Sequence, residues 1–178
     1  TENITGTENR FKTKNLDHFE RAEAGLFINR LMERYHKDLS PEIINTLLAI
    51  QDGEVPAYAS PLWLSLAVTI FLELDASDFE AIKKQSGEAE DVKIESYLLN
   101  MAQKFPPRAD ALFLRLIEQA KRYFNSDMTS DNLIFLALSD NGLTEKTLET
   151  VTGENWDSLS FTYMHRWFRG FLSNRNRE

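Results

Sequence analysis

The residues of this chain that could do acid–base or metal chemistry are few. Three histidines, His18, His36 and His165, and no cysteine stand among 178 residues. Without a thiol there is no disulfide framework, no thiolate nucleophile and no thiolate metal site. Glu33-Arg34-Tyr35-His36 is a Glu-x-x-His, the spacing that sets a carboxylate and an imidazole on one helix face in di-iron helical proteins. Such a centre requires a second copy and two further glutamates. No second Glu-x-x-His occurs, so Glu33 and His36 are expected on a solvated face, with no metal and no cofactor. Glu73 is the other candidate, because it interrupts an apolar stretch. A buried carboxylate there would have a raised pKa and could serve as acid or base. Ser65, Thr69 and Glu73 recur every four residues, however, and on a helix they form one stripe. The expectation is an exposed edge. No GxSxG, P-loop or Rossmann fingerprint is present, and no residue is assigned a catalytic role. An enzyme would need a polar cleft near Glu73 or His36.

The stretch from Leu143 to Ser160 carries a different constellation. Thr144 can cap a short helix that opens Leu-Thr-Glu, Gly153 marks a turn, Asn155 can cap a second helix, and Leu159 follows inside it. Over 143–160 this order resembles a repressor-type helix-turn-helix, which implies a second helix that enters the major groove. Glu149 departs from the motif, standing where a small residue packs between the helices. The second helix opens with Trp156, Asp157 and Ser160, not with the Arg, Gln or Asn that read base edges. Arg166, Arg169, Arg175 and Arg177 lie late in that helix or in the tail, where they could meet phosphates.

The same final helix, Trp156 to Leu172, has a wide aromatic face. Met164, Trp167 and Phe171 are expected in the core. Tyr163 and Phe168, with Arg166, Arg169 and Arg175, are the expected partner-binding surface, an aromatic patch rimmed by arginine. The acidic Glu88–Glu95 region is the second.

These groups are positioned by helices, and the helix signals are dense. Pro61 to Leu74 is the longest nearly uncharged run, preceded by the start pair Ser60-Pro61. It is apolar around most of its circumference, which describes a helix enclosed by neighbours. Ser40-Pro41 opens another helix, carrying Ile43, Ile44, Leu47, Leu48 and Ile50 and ending by Gly53. Asp17 with Glu20, and Ser77 with Glu80, are spaced as capping boxes. Leu112, Phe113, Leu116, Ile117, Ala120 and Phe124 share one face of a helix over 108–124, and Ile94, Tyr97, Leu98, Met101 and Ala102 share a face of the helix before it. A short apolar helix is expected over 132–138. No stretch alternates with period two for long enough to form a strand. The prediction is an all-α, single-domain bundle of eight or nine helices around the central helix 61–74, spanning 16–172, with a flexible arm at 1–15 and a flexible basic tail at 173–178.

Composition narrows the function classes. Hydrophobic residues make up 42% and charged residues 27%, a globular balance that can bury a core. The net charge of −8 disfavours a phosphate backbone as partner, although Trp156–Glu178 is locally basic, with four arginines against Asp157 and Glu178. The 62–74 run is shorter than the roughly 20 apolar residues that span a bilayer, and the opening residues lack the basic-then-apolar order of a secretory leader. A cytoplasmic, non-enzymatic protein that acts through protein–protein interaction, as regulator, adaptor or inhibitor, is expected, without membrane contact. A DNA-binding regulator using 143–172 is the alternative, and an enzyme of unknown class comes third.

Overall fold

The computed structural model describes residues 18–84, 89–124, 126–140, 142–153, 162, 164, 167, 168, 170 and 171. The arm at 1–15, the basic tail and most of the 154–172 segment lie outside them. The fold is all-α: α1 (Arg21–Arg34), α2 (Pro41–Leu47), α3 (Pro61–Leu72), α4 (Ala76–Lys83), α5 (Glu90–Gln103), α6 (Ala109–Tyr123), α7 (Ser126–Leu138) and α8 (Glu145–Thr152). Thr162, Met164, Trp167 and Phe168 are also helical. One two-residue antiparallel ladder, β1 (Gln51–Asp52) with β2 (Val55–Pro56), interrupts the series and is followed by a 3-10 turn at Ala57–Ala59.

Helix α3 occupies the centre. Ser60 caps it, its hydroxyl accepting from the Trp63 amide at 3.3 Å, and Pro61 fills the first position, where a missing N–H costs nothing. Trp63, Leu64, Leu66, Ala67, Val68, Ile70 and Phe71 are buried, so only Ser65, Thr69 and Glu73 with their near neighbours reach solvent. Thr69 Oγ1 donates to the Ser65 carbonyl at 2.8 Å. Glu73 is the half-buried C-cap residue of α3. At that end the Lys37 ammonium donates to the carbonyls of Leu72 (2.7 Å) and Leu74 (3.2 Å), satisfying acceptors that a helix leaves open and placing a cation at the negative end of its dipole.

The neighbours of α3 are α1, α6 and the 3-10 turn, while α2 packs on α5, α4 on α5, and α7 on both α6 and α8. Trp63 is fully buried, and its indole Nε1–H donates to the Pro106 carbonyl at 2.9 Å, tying α3 to the turn between α5 and α6. The Phe71 ring stands 5.4 Å from that of Phe105 in the same turn. From the C-terminal segment, Met164, Trp167 and Phe168 enter the core beside α6. Trp167 meets Tyr123 and Phe124 at 5.3 and 5.5 Å, and Phe168 and Phe171 meet Phe113 at 6.3 and 5.7 Å.

Several local expectations shift. Helix α1 starts after Glu20, whose amide donates to the Glu23 carboxylate at 2.9 Å, so the box begins at an acidic residue later than Asp17. Helix α4 is boxed by Asp75 and Asp78, whose amides and carboxylates exchange bonds of 3.0 and 3.2 Å; Ser77 is inside the helix. Helix α2 ends at Leu47 with Leu48 as its C-cap, not at Gly53. Gly53, with φ of 65°, instead takes the first loop position of the short hairpin, between the paired Asp52 and Val55, where glycine accepts positive φ. Helix α7 begins at Ser126, six residues before Asn132.

Candidate functional site

Neither candidate from the histidine and glutamate spacing matures into a site. Helix α1 stops at Arg34, and His36 takes a left-handed φ of 54° beyond the C-cap. The i, i+3 geometry needed to set Glu33 and His36 on one face is therefore lost. His18 lies with Nδ1 3.4 Å from the Ala59 carbonyl. Among the described residues no group of three or more His, Cys, Asp or Glu is placed to hold a metal ion.

The arginine-rimmed surface falls mostly outside the described residues, which exclude Tyr163, Arg166, Arg169 and Arg175. Phe168 is described, and it corrects its assignment to that surface. The ring is 1% exposed and packed edge-on against Phe113, so burial removes it as a docking residue. The first half of the 143–160 pattern folds as its punctuation dictates. Thr144 Oγ1 accepts from the Thr147 amide at 3.1 Å, Leu148 is buried, and Gly153 ends α8 at a φ of 68°. Glu149 is exposed, and the second helix of the pattern begins outside the described residues. In the acidic region, Glu95 accepts a hydrogen bond from Ser40 Oγ, joining α5 to the cap of α2, and Glu90 lies 3.4 Å from Lys83.

Two features that the sequence did not single out are better defined. The first is a cleft of about 310 Å³ where α4 meets α5 and α6. Leu74 and Met101, both buried, supply its apolar part. Arg115, Glu118, Gln119 and Arg122 line it from one face of α6, at spacings of three and four, with Tyr97 from α5 opposite. Tyr97 is 39% exposed, although its place in the apolar spacing of α5 predicts core. Asp78 accepts a hydrogen bond from the Tyr123 hydroxyl, and burial followed by that bond pushes the phenol well above its ordinary pKa.

Arg115 holds a defined pose. Its Nη1 donates to the Lys104 carbonyl at 2.8 Å and its guanidinium lies 5.0 Å from the centre of the Phe105 ring. Burial is the main influence holding its pKa below the ordinary arginine value; Tyr97 opposes this, and the positive charge of Arg122 adds to it. Neither Glu73 nor His36 lines the cleft. The signal available in the sequence was the Arg115, Gln119, Arg122 stripe, which runs beside the apolar face of α6 and repeats a positive charge at i, i+7.

The second feature is the outer face of α7. Ile134 is 52% exposed and Leu138 is 76% exposed, one turn apart, with Ala137 exposed beside them. Leu138 is the most exposed large apolar side chain among the described residues. Asp131 and Asp140, both exposed, stand at the two ends of this stripe. No helix among the described residues is long and apolar enough to cross a membrane. Comparison with protein-family models, with curated proteins and with solved structures finds no match to this chain.

Proposed function

We propose that this protein works by binding another protein, and that α7 supplies the contact. The observation that carries the reading is the pair Ile134 and Leu138, more than half exposed and one helical turn apart. An apolar stripe on one helix face is the element that a helix-in-groove interface uses as its anchors. Its ends carry Asp131 and Asp140 on a chain of net charge −8, so the complementary partner presents an apolar groove edged by Lys or Arg. Arg166, Arg169, Arg175 and Tyr163 of the C-terminal segment are the further contact residues proposed from sequence, without Phe168.

The test compares proteins captured from the native source by the wild type, by Ile134→Glu with Leu138→Glu, and by Lys146→Glu on α8 as a surface control. One protein retained by wild type and control but lost from the double variant is expected. Capture that is indifferent to both apolar residues would refute the assignment of α7. Binding that appears only with DNA and collapses steeply with added salt would instead select the nucleic-acid alternative through 143–172. Concentration-dependent dimerisation abolished by the double variant would make the partner a second copy of this chain, contrary to the proposal.

A further inference from the structure

We infer that the cleft between α5 and α6 binds a small organic oxyanion, with its carboxylate or phosphate between Arg115 and Arg122 and its apolar body on Leu74 and Met101. The cleft holds two guanidinium groups and two carboxylates, Asp78 and Glu118, which are not paired with one another. Its two carboxylates are engaged elsewhere: Asp78 accepts from the Tyr123 hydroxyl and from the Asp75 amide, and Glu118 lies 3.1 Å from the Lys121 ammonium. The two guanidinium groups have no such partner: among the described residues neither Arg115 nor Arg122 forms an ion pair with a carboxylate. Arg122 and Tyr97 are exposed and Gln119 is half-buried, and among the described residues none of their side chains makes a hydrogen bond.

Arg115 and Arg122 line the cleft from one face of α6, and the positive charge of Arg122 disfavours that of Arg115, a repulsion that an anion between them would relieve. The Lys104 carbonyl and the Phe105 ring fix Arg115 in place, so little ordering entropy is lost when its remaining N–H groups donate to a ligand. Planar guanidinium forks fit carboxylate and phosphate oxygens in paired hydrogen bonds. Tyr97 and Gln119 add neutral donors at the rim. The volume of about 310 Å³ suits a small molecule.

The probes are inorganic phosphate, phenyl phosphate and benzoate, with benzylamine as a cationic control, titrated into the full chain by calorimetry and by NMR of the arginine Nε–H signals. Saturable binding of phenyl phosphate or benzoate is expected, with shifts at Arg115 and Arg122 and none from benzylamine. The tighter of the two anions identifies whether the site takes a phosphate monoester or a carboxylate. Arg122→Gln breaks no hydrogen bond or ion pair among the described residues and should fold as the wild type while weakening affinity at least about tenfold. Tyr97→Phe should weaken it less. Failure of both organic anions to saturate at millimolar concentration, or unchanged affinity in Arg122→Gln, overturns the inference. Inorganic phosphate binding as tightly as phenyl phosphate overturns the role of Leu74 and Met101. None of these outcomes bears on α7, so this site and the protein-binding reading fail separately.

Discussion

Replacing Trp63 with Phe tests how α3 is fastened to the rest of the fold. The indole is fully buried, and its single N–H donates to the Pro106 carbonyl at 2.9 Å. Phenylalanine keeps an aromatic ring on α3 but removes that donor and part of the volume. Losing a hydrogen bond while leaving its acceptor buried costs about 1–3 kcal/mol. The lost ring volume adds a cavity term, kept below the roughly 3–5 kcal/mol of a full truncation to alanine. Together the variant should lose about 2–4 kcal/mol. Urea unfolding followed by far-ultraviolet circular dichroism reads the loss as a lower midpoint at unchanged slope. Because the bond reaches the turn between α5 and α6, amide exchange should also rise around Phe105 and Arg108 before global unfolding. A loss below about 1 kcal/mol would refute the reasoning, since it would mean that neither the bond to the Pro106 carbonyl nor the ring volume matters.

Three further outcomes follow from the same structure. Phe71→Ala, which empties a buried site against Phe105, should lower stability by about 3–5 kcal/mol in the same unfolding assay. Thr129 is fully buried and its Oγ1 has no hydrogen-bond partner among the described residues, so Thr129→Val should raise the unfolding free energy by about 1–2 kcal/mol, read from the denaturation midpoint. The Asp110 carboxyl is lowered to about 2, first by the hydrogen bond from Arg108 and next by the Ala111 amide. The folded pKa lies below the unfolded value, so its contribution to stability is fully present above about pH 4 and is lost as pH falls through about 2. A carbon-detected NMR titration should place the Asp110 midpoint there, and Arg108→Ala should move it up toward the ordinary carboxylate range.

Helix placement was legible wherever one residue type had one job. Ser40-Pro41 and Ser60-Pro61 start helices as their chemistry requires, Thr144 and Gly153 bracket α8, and Ser65, Thr69 and Glu73 form a half-buried stripe on α3 where an exposed edge was expected. Starts went astray where acidic residues cluster. Asp17, Glu20 and Glu23 repeat at the same interval, and so do Asp75 and Asp78 before Glu80, so spacing alone cannot say which carboxylate takes the cap. The hairpin closed by Gly53 and Glu54 was missed because two-residue strands are too short to show alternation.

Exposure was harder to read than helicity. Helical spacing says which residues share a face, not whether a neighbour covers it. Tyr97 sits on the apolar spacing of α5 yet walls a cleft, Phe168 sits beside arginines in sequence yet is buried, and Ile134 and Leu138 belong to an apolar run yet face outward. The cleft itself depends on α4, α5 and α6 meeting. That is tertiary information, which pattern along a single helix does not carry.

The most direct test of the claim that α7 is the working surface is site-specific photocrosslinking in the native source. A benzophenone side chain placed at Leu138 should yield one discrete adduct with another protein, and the adduct should vanish when Ile134 is also changed to Glu. The same group at Leu114, an exposed apolar position on α6, should give none. Equal adducts from both positions, or an adduct at Leu138 that survives Ile134→Glu, would contradict the account.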